Sequence, residues 1–114
     1  MWPTEYEVIT QAYKGNAHKG IDLRALLGTK IFASIDGKVI FVHNNNLYGQ
    51  HVLVQSGNKE LLYGHMAVPI VEVGDRVQRG QVIGTSGGTG WLTGPHLHFE
   101  VWIDGEHTDP AMFL

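Results

Sequence analysis

Turn-forming residues punctuate this chain every 8 to 12 residues, and no segment between them sustains a 3.6-residue apolar period over three helical turns. That rhythm favours short strands and tight turns over long helices. Glycine supplies much of it, with 15 among 114 residues against a typical ~7%. Residues 31–35 and 39–42 are apolar and β-branched, and the Asp36-Gly37 pair between them predicts a tight hairpin. Residues 44–49 read as a loop, and 51–55 alternate with Val52 and Val54 on one face. Gly57-Asn58 predicts the next turn. Strands follow at 61–66, at 68–73 around Pro69, and at Val82-Ile83 after a turn at Gly80. A glycine-dense loop covers 84–95, a last strand 96–103, and Asp104-Gly105 a closing turn. The most helix-like piece, 22–27, is too short to stand alone. The expectation is one compact all-β domain over 1–114, built of antiparallel sheets in a sandwich- or barrel-like arrangement.

Composition narrows the partners. At 43% hydrophobic the chain can bury a core, and without cysteine it has no disulfide, thiolate site or thiol nucleophile. A net charge of −3 has the wrong sign for nucleic-acid binding or for docking on anionic membranes. No run approaches the ~18 apolar residues of a membrane span, so no membrane insertion is expected. The opening MWPTEYEVIT lacks the basic and apolar regions of a secretory signal, which predicts another delivery route or a trimmed chain.

The seven histidines carry the chemical signal. In the strand 96–103, His96, His98, Glu100 and Trp102 share one face, while Leu97, Phe99, Val101 and Ile103 share the other and read as core. His-x-His therefore sets two imidazoles side by side. Upstream, His18-Lys19-Gly20-Ile21-Asp22 places an imidazole and a carboxylate four apart, with a glycine that permits the chain to curl. Two imidazoles and one carboxylate form the three-ligand set of a catalytic zinc with its fourth position open to water. More than three candidates are available for those positions, and the remaining histidines become acid–base groups. His65, beside Gly64 at a strand end, is one such group, since no His-Glu-x-x-His helix supplies a glutamate base.

Taken together, His18-x-Gly20-x-Asp22, Leu62-Tyr63-Gly64-His65 and Gly94-Pro95-His96-Leu97-His98-Phe99-Glu100 resemble the lysostaphin-type zinc endopeptidases that cut peptidoglycan peptides. Linking segments agree: Gly28-Thr29-x-Ile31-x-Ala33, Asp36-Gly37-x-Val39, Val73-Gly74-Asp75-x-Val77-x-x-Gly80-x-x-Ile83-Gly84, Ser86-Gly87-x-Thr89-Gly90 and Asp109-Pro110. The resemblance implies one zinc held by His18, Asp22 and His98, with His65 and His96 as catalytic histidines that do not ligate it. It implies an antiparallel β fold with a sheet-floored substrate groove, one wall being the loop 84–95. Peptidoglycan stem peptides or cross-bridges are the implied substrates, with action at the cell wall, extracellular or periplasmic, and a monomer favoured. The family often carries a tyrosine near its first ligand, to which Tyr13 lies close but offset. No separate wall-binding domain or inhibitory N-terminal segment is recognisable, which predicts a catalytic core, phage-encoded or trimmed from a longer protein.

Other signals are weaker. Gly84-x-Ser86-x-Gly88 lacks the following helix of a nucleophile elbow, and no Gly-Lys-Ser/Thr follows for a phosphate loop. His43, His51 and His107 are expected on the surface. Glu100 is read equally as a partner of a ligand imidazole or as a solvated strand residue, and Tyr48 and Trp91 as ordinary packing, with substrate contact from loops near the groove as the alternative. A metal-free regulatory or binding module of the same fold is the alternative function. A phosphocarrier with paired histidines fits less well, because Asp22 would repel a phosphohistidine, and a cupin-like site requires a different glutamate spacing.

Overall fold

A computed structural model describes residues 1–5, 8–25, 28–87 and 96–113 of the chain. Its elements are β1 (Val8–Gln11), a 3₁₀ turn (Gly15–Ala17), β2 (Ile21–Arg24), β3 (Lys30–Phe32), β4 (Gly37–Asn45), β5 (Gly49–Ser56), β6 (Lys59–Pro69), β7 (Arg76–Val77), β8 (Val82–Ser86), β9 (His96–Ile103), β10 (Glu106–Thr108) and α1 (Pro110–Phe113). The antiparallel all-β expectation holds. The strands form one sheet in the order β1-β2-β9-β6-β5-β4-β7, with β10 added to β9 and β8 joining β3 to β6. The sheet does not close into a barrel.

Strand β9 sits at the centre. One edge pairs with β2 and then β10, and the other with β6. Its inward residues Leu97, Phe99 and Val101 are fully buried with Ile21, Leu23, Leu61 and Tyr63, as the period-two alternation predicts. The Tyr63 hydroxyl accepts the Ser34 N–H at 2.9 Å, which satisfies the buried tip of this side chain.

Local turn chemistry succeeds where both halves of a hairpin are contiguous. Ser56 pairs with Lys59 across Gly57-Asn58, and Ile103 with Glu106 across Asp104-Gly105, where both turn residues have positive φ (52° and 79°). The hairpin expected at Asp36-Gly37 does not form. β3 pairs with β8 and β4 with β5 and β7, so the two runs never meet. Gly37 is a glycine for space: a Cβ there would collide with the Gln55 carbonyl across the ladder. Asp36 instead accepts the Arg79 N–H at 2.7 Å. Of the 44–49 segment, read as a loop, Asn44, Asn45 and Gly49 extend the ladder, while 46–48 form the turn in which Asn45 Oδ1 accepts the Leu47 and Tyr48 N–H groups. The helix-like stretch begins as strand β2, with Ile21 and Leu23 buried in alternation; residues 26–27 lie outside the described residues.

Strand β6 changes partner partway along its length. It pairs with β9 as far as Gly64 and with β8 from Met66 onward. His65 stands at that fork with φ 58°, in a bulge opposite β5 where the register shifts between Gln50 and Val52. A left-handed backbone on a non-glycine residue costs about 1–2 kcal/mol. Its backbone stays bonded on both sides, the N–H to the Tyr48 carbonyl at 2.6 Å and the carbonyl to the Gly87 N–H at 3.1 Å.

Candidate metal centre

The site grows from the β2–β9 ladder. Asp22 lies directly opposite His98, so both side chains stand on the same outward face. Asp22 Oδ1 meets His98 Nδ1 at 2.6 Å. His18 arrives from the 3₁₀ turn, where Gly15 takes φ 58° and the Lys14 N–H bonds the His18 carbonyl at 2.9 Å. Its Nδ1–H donates to the Ala12 carbonyl at 2.9 Å, which turns Nε2 toward Asp22 Oδ2, 3.4 Å away. One potential ligand atom from each of His18, Asp22 and His98 lies within 4.8 Å of the others.

Gly20 makes this approach possible in a way the sequence reading did not foresee. Its backbone is not left-handed; a Cβ would collide with the Phe99 carbonyl and crowd Glu100 Cγ. The glycine of His-x-Gly-x-Asp therefore serves close packing of the ligand loop against β9.

Behind His98 stands Glu100, a glutamate only 2% exposed. It accepts three hydrogen bonds: from His98 Nε2 at 2.7 Å, from Trp102 Nε1 at 2.8 Å and from the Tyr48 hydroxyl at 3.0 Å. The expectation divided between a partner and a solvated residue resolves to the partner. Tyr48, read as packing, also stacks on the His98 ring at 5.6 Å and 24°. Burial, then the Glu100 charge, pushes the Tyr48 phenol well up, so it stays a donor. Burial opposes charge on His98, but the hydrogen bonds it donates to the Asp22 and Glu100 carboxylates outweigh it and raise its pKa to about 9. Burial likewise works against an ionised Asp22, yet the His98 hydrogen bond prevails and holds the carboxylate below its ordinary range.

These groups line a cleft of about 420 Å³ together with Asn16, Lys19, Leu47 and His65. The His65 ring is 6.1 Å from that of His98. His96 shares the outward face of β9, its N–H bonds the Gly87 carbonyl at 3.3 Å, and its charge helps depress Asp22. It does not itself line the cleft. Of the loop 84–95, residues 88–95, including Trp91, lie outside the described residues.

One other expectation is corrected. His51 is buried, not a surface residue, with Nδ1 donating to the Gly49 carbonyl at 2.9 Å. His107, half-buried, accepts a hydrogen bond from the Tyr13 hydroxyl on Nδ1 at 2.7 Å, donates from Nε2 to Asn16 Oδ1 at 2.8 Å, and packs edge-on against Trp102. Tyr13 is thus committed to β10 and is not among the residues lining the cleft. His43 is exposed as expected. Trp102 was detectable, since alternation puts it on the face of His98 and Glu100. Tyr48 and His107 gave no local signal, because their partners lie 52 and 94 residues away.

A cleft with two imidazoles and a carboxylate converging at one side fits an open metal site of the kind metallohydrolases use. The chain belongs to peptidase family M23, whose pattern matches residues 16–110. This family is zinc-dependent. Over 95 residues the chain is 43% identical to the peptidoglycan DD-endopeptidase ShyC of Vibrio cholerae, covering 82% of this chain and 22% of that relative. It superposes on a zinc-containing peptidase from Vibrio cholerae with a TM-score of 0.88 at 32% identity, covering 95% of this chain and 37% of the other. On the catalytic domain of lysostaphin from Staphylococcus simulans the TM-score is 0.82 at 30% identity, covering 96% and 91%. The chain spans about a fifth of the full length of ShyC and ShyA (22% and 21%) and most of the isolated lysostaphin catalytic domain.

Proposed function

We propose that this chain is a zinc endopeptidase acting on the peptides of bacterial peptidoglycan at the cell wall or in the periplasm. His18, Asp22 and His98 would hold the metal, and His65 and His96 would handle protons. The observation that carries this reading is the convergence of three donors at the cleft, backed by a buried glutamate. The donor set fits zinc: nitrogen and oxygen ligands, no cysteine, and the Nδ1–H of His18 and the Nε2–H of His98 each given to an acceptor. Relatives named as peptidoglycan endopeptidases support the substrate class.

Bound zinc supplies Lewis acidity, polarising the scissile carbonyl and acidifying water. The chain's own residues do the rest. Glu100 fixes the ring orientation and tautomer of His98 through Nε2. His65, which lines the cleft with a left-handed backbone, would hydrogen-bond the carbonyl oxygen as negative charge develops. His96, on the same outward face of β9 as His98, would accept a proton from water and return one to the leaving amine. Leu47 and Tyr48 on the β4–β5 tip and Asn16 on the 3₁₀ turn offer contacts to an extended peptide.

Release of soluble peptides from purified peptidoglycan tests this. The zinc-loaded chain is expected to solubilise it, a chelator to stop the release, and added zinc to restore it. Mass analysis of the fragments identifies the bond cut. A zinc-free chain that still clears walls would overturn the proposal.

A further inference from the structure

The cleft contains a cation that the proposed chemistry leaves unused. Lys19 lies between the candidate ligand His18 and the tightly packed Gly20, and its exposed side chain lines the cleft. The ammonium rests over the Trp102 ring, 5.8 Å from its centroid. Trp102 is anchored in turn, donating to Glu100 at 2.8 Å and packing at 85° against His107. A lysine on a fixed aromatic face keeps its charge near one place, while its N–H donors stay available. Among the described residues Lys19 makes no ion pair, since the two cleft carboxylates, Asp22 and Glu100, are both engaged by His98.

We infer that Lys19 is a specificity-determining residue that pairs with a substrate carboxylate next to the scissile amide. This rests on the endopeptidase reading above and deepens it. Peptidoglycan cross-links differ in this respect. A D-alanyl bond to a diamino acid that keeps its second carboxyl group carries an anion beside the amide nitrogen. A glycine bridge, or a cross-link whose carboxyl group is amidated, carries none. An anion placed there gains a charge-assisted hydrogen bond from Lys19, and an uncharged substrate leaves the ammonium with water. At such an exposed position the expected discrimination is about tenfold.

Two synthetic cross-linked peptides, identical except that the carboxyl group beside the scissile amide is free in one and amidated in the other, decide the matter. Hydrolysis is followed with the zinc-loaded chain, and affinity for both peptides is measured on the zinc-free chain, where turnover does not consume them. The chain is expected to favour the free acid about tenfold in kcat/KM and in affinity. Lys19→Met keeps the apolar stem over Trp102 and should bring both ratios to near one; Lys19→Arg should preserve them. Zinc content and melting temperature check that the variants fold. Equal treatment of the two peptides by the parent chain, or a preference that survives in Lys19→Met, overturns the inference. If neither peptide is hydrolysed, the endopeptidase reading fails, and the affinity ratio still decides the role of Lys19.

Discussion

Asp22 faces His98 across the β2–β9 ladder with Oδ1 and Nδ1 2.6 Å apart, and the opposite nitrogen of the same ring meets Glu100 at 2.7 Å. One imidazole is therefore clamped between two carboxylates on a strand that is itself fixed along both edges. Without a metal the clamp favours a proton on each nitrogen. A metal at Nδ1 would take the place of one proton and leave the Glu100 bond intact.

That competition gives the metal-free chain a defined pH response. The His98 pKa is raised from 6.5 to about 9, so its stabilising contribution is complete below about pH 6.5 and is lost as pH rises through 9. Between those values the native state binds more protons than the unfolded state, and stability falls with rising pH. The Asp22 contribution, from a lowered pKa, is present above pH 3.8 and disappears only on strong acidification. Melting temperatures of the chelated chain from pH 6 to 10 should decline through this window, and His98→Asn should flatten the decline. Zinc affinity should move in the opposite direction over the same range, since the ligand must lose its proton.

Glu100 is expected to matter through His98. Glu100→Gln keeps the shape but weakens the acceptor for the Nε2–H, and zinc affinity should drop about 10- to 100-fold. Tyr48→Phe removes one of the three donors to Glu100 and should cost less. Competition against a chromogenic chelator reads both, and an unchanged affinity in Glu100→Gln would show that the carboxylate is merely packed.

Gly20→Ala probes the contact that seats the ligand loop. The added methyl would meet the Phe99 carbonyl, a backbone atom that cannot swing aside. β2 must then shift against β9, and overpacking of this kind costs about 1–3 kcal/mol. Denaturant titration should report that loss together with weaker zinc binding, because Asp22 lies two residues along the displaced strand. Gly15→Ala, with open space around its Cβ, should cost only the price of its positive φ, about 1 kcal/mol.

Much of this arrangement was legible wherever one strand carries its own pattern. The alternation of β9 separates Leu97, Phe99 and Val101 from His96, His98 and Glu100, and Gly57-Asn58 and Asp104-Gly105 mark hairpins whose halves adjoin. Asp36-Gly37 has the same local signature, but β3 finds β8, some 50 residues downstream, and the ladder of β4 claims Gly37 for its lack of a side chain. A dipeptide cannot encode that choice, because it is made by long-range pairing. The same holds for the ring contacts of His51 with Phe41 and Tyr48 and of His107 with Tyr13 and Trp102, which form once the sheet has assembled. The His18, Asp22 and His98 grouping was open among several candidates on spacing alone, and the family resemblance singled it out. The ladder then accounts for it physically, since Asp22 and His98 are register partners.

His65 offers the sharpest separation of folding from chemistry. Its φ of 58° lies in the region that histidine, asparagine and aspartate tolerate better than other non-glycine residues, and that β-branched side chains strongly resist. His65→Asn should therefore fold with near-parental stability and bind zinc with the parental affinity, because His65 belongs to neither the His18–Asp22–His98 group nor the Glu100 hydrogen bonds. Its hydrolysis should nonetheless fall by about 10²–10⁴-fold, the usual worth of a positioned proton-handling group. His65→Val should instead destabilise the chain by about 2 kcal/mol or more, since the β6 fork demands a conformation valine avoids. Calorimetry, zinc titration and peptide release on the two variants distinguish a catalytic histidine from a structural one. Full hydrolytic activity in His65→Asn would remove His65 from the catalytic machinery and leave it as the residue that turns β6 from β9 to β8.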